Sequence, residues 1–236
     1  PICQRGVAIY KNWIYFASPD AHLVCLNAKD GKVRWVVEVA DVNKGYWSTE
    51  APQIVGDHVI VGVGGDMDNL QTFIRAIDPE TGKTQWQFNS TPPPGTPNTA
   101  TGGTTWMAGT YDPELNLIYW GTGNPTPVLT GSTRPGDNLY TCSIVALNPD
   151  TGKLVWAFQP SPHDTHDWDA IEIPVLVDGP FRGKQRKMLM QASRNGYFFV
   201  LDRTNGENLL TVPFGPVNWA IGLDKKGQPI PNPRKE

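Results

Sequence analysis

The stretch Ile77-Asp78-Pro79-Glu80-Thr81-Gly82-Lys83-Thr84-Gln85-Trp86 decides the fold, because the chain repeats it. Close copies run over residues 26–35 and 147–156, and a fainter copy runs over 201–210. In every copy an Asp or Asn stands four residues before a Gly, and in three copies a Trp stands four residues after that Gly. A motif that returns every 50 to 70 residues or so indicates a series of similar structural units.

Each position of the repeat has a physical role in a turn between two strands. The Asp or Asn side chain can bond the turn backbone, Gly allows the positive φ of a tight turn, and the Trp packs apolar surface against a neighbouring unit. We predict a strand ahead of each copy, over Trp13 to Ala17, His58 to Val63, Ile118 to Trp120 and Phe198 to Leu201. The pattern predicts an all-β fold, a β-propeller with tryptophan-docking repeats and about four blades.

Composition agrees with this fold and excludes several function classes. The chain has 236 residues, of which 18% are charged, with 24 Gly, 22 Pro and 9 Trp, as is typical of a turn-rich β protein. The net charge is -3 without a dense basic run, so we expect no nucleic-acid partner. No apolar run approaches the length of a membrane span. The chain begins at Pro1 and not at Met, so we expect a processed product or part of a longer chain.

The heptad His163-Asp164-Thr165-His166-Asp167-Trp168-Asp169 is the strongest candidate for a functional site. It contains three carboxylates, two imidazoles and an indole, and Pro160 and Pro162 prevent a helix from entering it. A carboxylate-dense loop of this kind binds a hard cation through oxygen or supplies a catalytic base. The alternative is a solvated acidic loop without a chemical role.

Other motifs occur with the heptad in a specific order. They are Gly64-Gly65 after a strand, Gly102-Gly103-Thr104-Thr105-Trp106, Gly123-Asn124-Pro125 and Arg134-Pro135-Gly136-Asp137-Asn138. In order and spacing, these motifs and the repeat resemble the quinoprotein alcohol dehydrogenases, the methanol/ethanol dehydrogenase family that uses pyrroloquinoline quinone (PQQ). The resemblance covers essentially the whole chain.

The resemblance implies a fold and an activity. Residues 1–236 would form a partial quinoprotein propeller domain, about four blades of an eight-bladed ring. The activity would be oxidation of a small primary alcohol by hydride transfer to metal-bound PQQ, with Ca²⁺ or a lanthanide ion as the metal. A cytochrome c would accept the electrons, the location would be periplasmic, and a homodimer would be compatible with the family.

The resemblance also assigns roles to individual residues. Asp167 matches the catalytic base, and Arg194 matches the arginine that bonds the reactive quinone carbonyl. The matched cofactor contacts are the guanidinium of Arg5, the hydroxyl of Thr49, the backbone of Gly64 and Gly65, and the indole of Trp106. Asn124, Asp167 and Asp169 match metal ligands, and Asp169 resembles the additional acidic ligand of the lanthanide-using branch. If the heptad were extended, Asp167 and Asp169 would point to the same side.

The chain departs from the family pattern at two places. Met67 stands where methanol dehydrogenases have a glutamate metal ligand, and a thioether is a poor ligand for a hard cation. We expect Asp66 or Asp68 to substitute, with Asp66 preferred. The adjacent-cysteine disulfide of the family is not found before Arg5, where Cys3 stands alone.

Two other functions fit parts of the sequence. A non-catalytic propeller that binds other proteins would explain the repeats, but it does not require the glycine pair, Gly-Asn-Pro and the acidic heptad in that order. A propeller glycosidase using Asp164 and Asp167 lacks any indication that the two carboxylates stand at the needed separation.

Overall fold

The structure is a computed structural model that describes residues 4–65, 67, 70–96 and 99–235. Over these residues the chain forms 20 β-strands and one short 3₁₀ helix, Val42–Lys44. Most of the strands belong to four antiparallel sheets of four strands each. In the described ranges, no helix has the length and apolar character that crossing a membrane requires.

Each four-stranded sheet is built from one continuous part of the chain, so the strands pair mainly with their sequence neighbours. The first sheet consists of β1 (Ala8–Tyr10), β2 (Trp13–Ala17), β3 (His22–Asn27) and β4 (Val33–Glu38). The second consists of β5 (Gln53–Val55), β6 (His58–Gly62), β7 (Phe73–Ile77) and β8 (Thr84–Asn89).

The part of the chain that forms the third four-stranded sheet also forms a small two-stranded sheet. The strand order of the four-stranded sheet is β10-β11-β13-β14, and the small sheet pairs β9 with β12. The strands are β9 (Thr101–Gly102), β10 (Thr110–Asp112), β11 (Leu117–Gly121), β12 (Pro125–Thr126), β13 (Ile144–Leu147) and β14 (Leu154–Phe158). The long connections around β9 and β12 carry the motifs that contain Trp106 and Asn124.

The fourth sheet is followed by a separate hairpin. The sheet consists of β15 (Val175–Phe181), β16 (Lys184–Ala192), β17 (Tyr197–Asp202) and β18 (Asn208–Pro213), and the hairpin pairs β19 (Ala220–Leu223) with β20 (Pro229–Pro231). The strands predicted from the sequence coincide, within two residues at either end, with β2, β6, β11 and β17. The expectation of an all-β fold with repeated sheets is confirmed.

The core lies between successive sheets. Side chains alternate in direction along a strand, so Val59 and Val61 of β6 join the cluster shared with the first sheet, whereas Ile60 joins the cluster shared with the third. In the same way Trp120 of β11 packs toward the second sheet and Tyr119 toward the fourth. Both faces of the second and third sheets are covered, which explains why β11 is buried at every position.

The tryptophan of each repeat packs on the glycine turn of the next repeat. A Cβ added to Gly152 would lie 2.5 Å from the Trp86 ring, and Trp86 Nε1 donates to Pro149 O at 2.6 Å. Gly206 meets Trp156 in the same way, and Trp156 Nε1 donates to Arg203 O at 3.1 Å. Gly152 has a φ of 67°, as the sequence requires of this turn. The repeat therefore joins one sheet to the next.

Candidate functional site

Five of the predicted site residues line one cavity of about 280 Å³. They are Trp106, Asn124, Asp167, Asp169 and Arg194, and the remaining walls are Trp47 and Val128. These residues come from connections before or within the second, third and fourth sheets, so the cavity forms where loops of different sheets meet. A larger cavity of about 620 Å³ lies around Phe158, Gln159 and Lys226, and it contains none of the predicted site residues.

Backbone hydrogen bonds hold three segments of the site side by side. Gly123 N donates to Thr104 O at 2.7 Å, and Gly103 N donates to Asn124 O at 2.9 Å. Ala170 N donates to Thr122 O at 3.0 Å. The positions of Trp106, Asn124 and Asp169 are therefore fixed by main-chain contacts between their loops.

The acidic heptad is folded around the carboxylate of Asp164. Its Oδ1 accepts from His166 N at 2.9 Å, and its Oδ2 accepts from Trp168 N at 2.8 Å. Asp167 and Asp169 both have left-handed backbone conformations, with φ of 63° and 53°. The segment is not extended, so the strand geometry considered for the pair is wrong, although both side chains still line the cavity. The internal bonds of Asp164 provide the reason.

Asp169 is the buried acid of the site. Its Oδ1 accepts from Asn124 N at 2.7 Å, and its Oδ2 lies 2.9 Å from Arg194 Nη1. Burial raises the pKa of the Asp169 carboxyl to about 7, although the Asn124 N–H and the Arg194 charge act in the opposite direction. A bound cation would lower this pKa again, because it stabilises the carboxylate form.

Asp167 is the accessible acid of the site. Its side chain is 49% exposed, and its Oδ2 lies 3.8 Å from Arg194 Nη2. Burial raises the pKa of the Asp167 carboxyl, the Arg194 charge lowers it and the negative charge of Asp164 raises it. Arg194 therefore stands between the two acids, and Glu172 Oε1 accepts from its backbone N–H at 2.9 Å.

The opposite wall of the cavity is aromatic. The Arg5 guanidinium lies over the Trp106 ring, 4.9 Å from its centroid, and the Trp47 ring lies 6.2 Å from it at an angle of 49°. Arg5 is held by Thr49, whose carbonyl accepts from Arg5 N and from Nη1. The Trp106 indole is thus in contact with a cation and with a second, tilted indole.

The two predicted glycines are placed beside this wall. Gly64 pairs with Trp47 through both backbone bonds, and an added Cβ would lie 2.4 Å from the Trp47 ring. At Gly65 an added Cβ would lie 2.9 Å from Leu70 Cδ1. Protein groups therefore explain why both positions are glycine, and their approach to a cofactor stays a prediction.

The polar groups near the wall fit a bound oxygen-rich molecule. Within the described residues, the buried Thr49 Oγ1 has no hydrogen-bond partner, and the same is true of Ser48 Oγ and Thr104 Oγ1. A buried hydroxyl without a partner is costly unless another group occupies the position next to it. Thr49 thus keeps a hydroxyl available for the cofactor contact predicted from the sequence.

The oxygen ligands predicted for the metal are only partly described. Asn124, Asp167 and Asp169 line the same cavity, and Asn124 Nδ2 donates to Pro125 O, so the amide oxygen is the atom suited to a cation. Asp66 and Asp68 lie outside the described residues. Over the described ranges, no group of three or more His, Cys, Asp or Glu side chains is arranged to hold a metal. The oxygens of Asn124, Asp167 and Asp169 fit a hard cation chemically.

Sequence reasoning missed Trp47, Val128 and the organising role of Asp164. Trp47 stands two residues before Thr49, so its position near the site was available as a signal. Val128 carries no chemical signal, and its place in the wall follows only from the shape of the loop after Pro125. Asp164 was considered as one carboxylate of the heptad and as one acid of a glycosidase pair, but not as the group that shapes the loop.

Comparisons with known proteins show which family the chain resembles. Residues 37–229 match the PQQ family model described as glucose/ethanol/alcohol dehydrogenase, beta-propeller domain. The chain is 40% identical to the quinoprotein alcohol dehydrogenase PedH of Pseudomonas putida over 98% of its length, and 35% identical to the lanthanide-dependent methanol dehydrogenase of Methylacidiphilum fumariolicum over 99%. The alignments span 43% of each relative, so the chain covers less than half of their length.

Solved structures are similar over the same extent. The quinohemoprotein alcohol dehydrogenase of Comamonas testosteroni aligns with a TM-score of 0.91 and 39% identity, covering 98% of this chain and 38% of that one. A europium-containing methanol dehydrogenase aligns with a TM-score of 0.91 and 35% identity, covering 99% of this chain and 46% of that one. The predicted propeller class is confirmed by these similarities.

Proposed function

Because the chain belongs to the PQQ β-propeller family of alcohol dehydrogenases, we propose that its protein oxidises a small primary alcohol with PQQ and a Ca²⁺ or lanthanide ion. The observation that carries this proposal is the cavity shared by Trp106, Asn124, Asp167, Asp169 and Arg194. It combines an aromatic surface, oxygen ligands, an accessible carboxylate and a cation within one small volume. A non-catalytic scaffold has no use for this combination.

The aromatic wall would hold the cofactor. When bound, PQQ supplies a quinone that accepts a hydride, and this redox chemistry belongs to the cofactor. Trp106 presents a flat ring for stacking, and the Arg5 charge and the Thr49 hydroxyl are groups that bind carboxylates and carbonyls. Arg194 would provide positive charge for an oxygen that becomes more negative during the reaction.

The metal would be held by the oxygen atoms of Asn124, Asp167 and Asp169, with Asp66 or Asp68 as a further ligand. Asp169 is buried and Asn124 is 4% exposed, so both offer ligands in a site from which bulk water is largely excluded. The charge of Asp169 would then be neutralised by the metal and by Arg194 together. The family includes proteins named as lanthanide-dependent, which supports either metal here.

Asp167 is the better candidate for the base that removes the hydroxyl proton of the alcohol. Asp169 accepts a hydrogen bond at each of its two oxygens, from Asn124 N and Arg194 Nη1. Asp167 has one long contact with Arg194 and a half-exposed side chain, so its oxygens are accessible to a substrate. A general base must reach the proton that it removes. Asp167 meets this condition, whereas both oxygens of Asp169 already accept hydrogen bonds from protein groups.

Further properties of the whole protein are proposed from its relatives. Several of these relatives are named as quinohemoprotein dehydrogenases or as a dehydrogenase subunit, which supports a cytochrome c as the electron acceptor. We propose a periplasmic location on the same basis. Whether the protein forms the expected homodimer is decided by light scattering of the purified protein.

The experiment that tests the proposal is reconstitution of the purified protein. It is incubated with PQQ and either Ca²⁺ or La³⁺, and bound PQQ is measured by absorbance and bound metal by mass spectrometry. Oxidation of ethanol is then followed with an artificial dye and with a cytochrome c. We expect one PQQ and one metal per protein and turnover that depends on both. Protein that binds neither PQQ nor metal would overturn the proposal.

A further inference from the structure

A fully buried arginine connects two loops that each contribute residues to the cavity. Arg134 is 1% exposed and lies in the loop that follows β12. Its Nε donates to Pro127 O at 2.9 Å, and its Nη1 donates to Asn138 Oδ1 at 2.6 Å. Its Nη2 donates to Val128 O at 3.2 Å and also to Asp164 O. The first three acceptors belong to its own loop, and the fourth belongs to the acidic heptad.

These contacts are unusual for a buried charge. Within the described ranges, Arg134 forms no ion pair with a carboxylate, and its partners are three backbone carbonyls and one amide oxygen. Burying a guanidinium that no carboxylate bonds directly is costly unless its donors are hydrogen-bonded, and here Nε, Nη1 and Nη2 all have acceptors. Its donors are arranged in a planar fork of fixed shape. The fork fixes the relative position of every carbonyl that it bonds.

One side of the fork determines where the Val128 wall stands. Val128 lines the cavity together with Asp167 and Asp169. Its carbonyl and that of the preceding residue both accept from Arg134. Asn138 anchors the guanidinium from the far end of the loop, and Asn138 Nδ2 donates back to Arg134 O at 2.8 Å. The loop is therefore folded around the guanidinium.

Nη2, the same nitrogen that bonds Val128 O, also determines where the acidic pair stands. Arg134 bonds the carbonyl of Asp164, the residue whose carboxylate accepts from His166 N and Trp168 N. Those amides lie immediately before Asp167 and Asp169 in the chain. A displacement of the Asp164 backbone would thus move the turn that carries both acids.

We propose that Arg134 is a positioning residue that sets the distance between the Val128 wall and the acidic pair, and thereby the rate of alcohol oxidation. The inference rests on the proposed function, since it assigns Arg134 to that same cavity. Reacting groups must be held closely, and a displacement of about 1 Å can reduce a rate about 100-fold. Lysine carries the same charge, but it lacks the Nε and Nη1 donors that bond Pro127 O and Asn138 Oδ1 and fix the orientation of Nη2 between the two loops.

The test compares Arg134→Lys with Arg203→Lys in the complete protein loaded with PQQ and metal. Arg203 is the matched control, because it is also buried at 4% exposure and bonds Asp112 and Asp178, away from the cavity. We expect Arg134→Lys to lower kcat for ethanol by about 10- to 100-fold, with a KM within about threefold and unchanged PQQ content. Arg203→Lys should lower the melting temperature and leave kcat and KM unchanged while the protein is folded.

A milder variant and a second measurement make the test independent of folding and of activity. Asn138→Gly removes the acceptor of Arg134 Nη1 and suits the positive φ of 61° at this position. It should lower kcat in the same direction, and it decides the question if Arg134→Lys does not fold. Hydrogen exchange of residues 126–138 and 163–169 should become faster in both variants, but not in Arg203→Lys.

Each outcome supports or overturns the inference. A kcat within twofold of the wild type in Arg134→Lys or in folded Asn138→Gly would overturn it, as would an equal kinetic loss in Arg203→Lys. Unchanged exchange of the two segments would overturn it as well. A wild-type protein without alcohol turnover would instead overturn the proposed function, and the exchange measurement would still decide whether Arg134 positions the two loops.

Discussion

At the scale of single residues, the site separates two acids that stand only two positions apart. Asp169 is buried and bonded at both oxygens, whereas Asp167 is half exposed. The residues that carry distinctive chemistry, such as Trp106 and Asn124, were predictable from motifs. Trp47 was indicated only by its closeness to Thr49, and Arg134 was not predictable, because its importance follows from a contact with Asp164, 30 positions away.

Asp167→Asn should lower turnover by about 100-fold, the scale of losing a general base. PQQ should remain bound, since the amide keeps the size of the side chain and the aromatic wall is unchanged. Steady-state kinetics with ethanol and the absorbance of bound PQQ check both statements. Asp57→Asn, an exposed change far from the cavity, is the control. Unchanged turnover in Asp167→Asn would remove this residue from the role of base.

Asp169→Asn should reduce activity with La³⁺ more than activity with Ca²⁺. Attraction between a carboxylate and a cation scales with the product of their charges, so loss of one negative charge penalises the trivalent ion more. Asparagine keeps an oxygen that accepts from Asn124 N, which preserves the local fold. The protein is loaded with each metal separately, and bound metal and turnover are measured. An equal loss with both metals would contradict a role of Asp169 in metal choice.

Glu50→Gln should stabilise the protein at neutral pH but not at acidic pH. Glu50 is fully buried, its Oε1 accepts from Gly62 N, and within the described residues its Oε2 has no partner. Burial raises the pKa of the Glu50 carboxyl well above its usual range.

The direction of this pH dependence follows from the protonation of Glu50 in the folded and the unfolded state. Below the unfolded-state pKa of about 4.3, the Glu50 carboxyl is protonated in both the folded and the unfolded state, so its ionisation does not lower the free energy of unfolding. As the pH rises toward the folded pKa, the wild type loses about 1.4 kcal/mol per pH unit relative to the glutamine variant. Denaturant unfolding at pH 4 and pH 7 measures this difference. An equal difference at both pH values would show that Glu50 does not titrate as described.

At the scale of elements, the packing of Trp on Gly joins the sheets. The sequence predicted that each Trp packs against a neighbouring unit, but it did not predict that the Trp lies on the glycine turn of the next repeat. It did not predict the shape of the acidic loop, where an extended segment was considered and left-handed residues are found. The difference arises because the Asp164 carboxylate bonds two amides of its own loop, an interaction that local preferences do not reveal.

Gly152→Ala should be more destabilising than Gly31→Ala. Both glycines have a positive φ, at 67° and 70°, so a Cβ introduces backbone strain of about 1–2 kcal/mol at either position. At Gly31 nothing lies within 4 Å of the added Cβ, whereas at Gly152 it would lie 2.5 Å from the Trp86 ring. Displacing this ring should cost about 1–3 kcal/mol more. Denaturant unfolding of both variants measures the difference, and equal losses would mean that Trp86 moves away without cost.

At the scale of the whole molecule, one buried ion pair spans the third and fourth sheets. Arg203 Nε lies 2.6 Å from Asp112 Oδ2, and the two side chains are 5% and 3% exposed. Asp112 ends β10 and Arg203 follows β17, so the pair links residues 91 positions apart. The number of sheets was predictable from the repeats. This link was not, because Asp112 lies outside the repeat and the other copies have Ala or Pro at the position of Arg203.

Arg203→Met should lower the free energy of unfolding by about 3 kcal/mol, because the Asp112 carboxylate would remain buried without its counter-ion. The matched control is Lys11→Met, which breaks an exposed pair with Glu80 and should leave stability unchanged within error. Asp112→Asn combined with Arg203→Met should recover part of the loss. Denaturant unfolding compares these variants. Equal stability of Arg203→Met and the wild type would show that the pair does not hold the sheets together.

The Trp–Gly contacts have a direction, and this has a consequence for how such proteins grow. Trp35 lies on Gly82, Trp86 on Gly152 and Trp156 on Gly206, so each unit contacts the turn of the unit that follows. Every such contact between units joins a Trp of one unit to a Gly turn of the next, so a duplicated unit could form the same contact with both of its neighbours. An array of this kind can gain a unit by gene duplication without any compensating change at its joints.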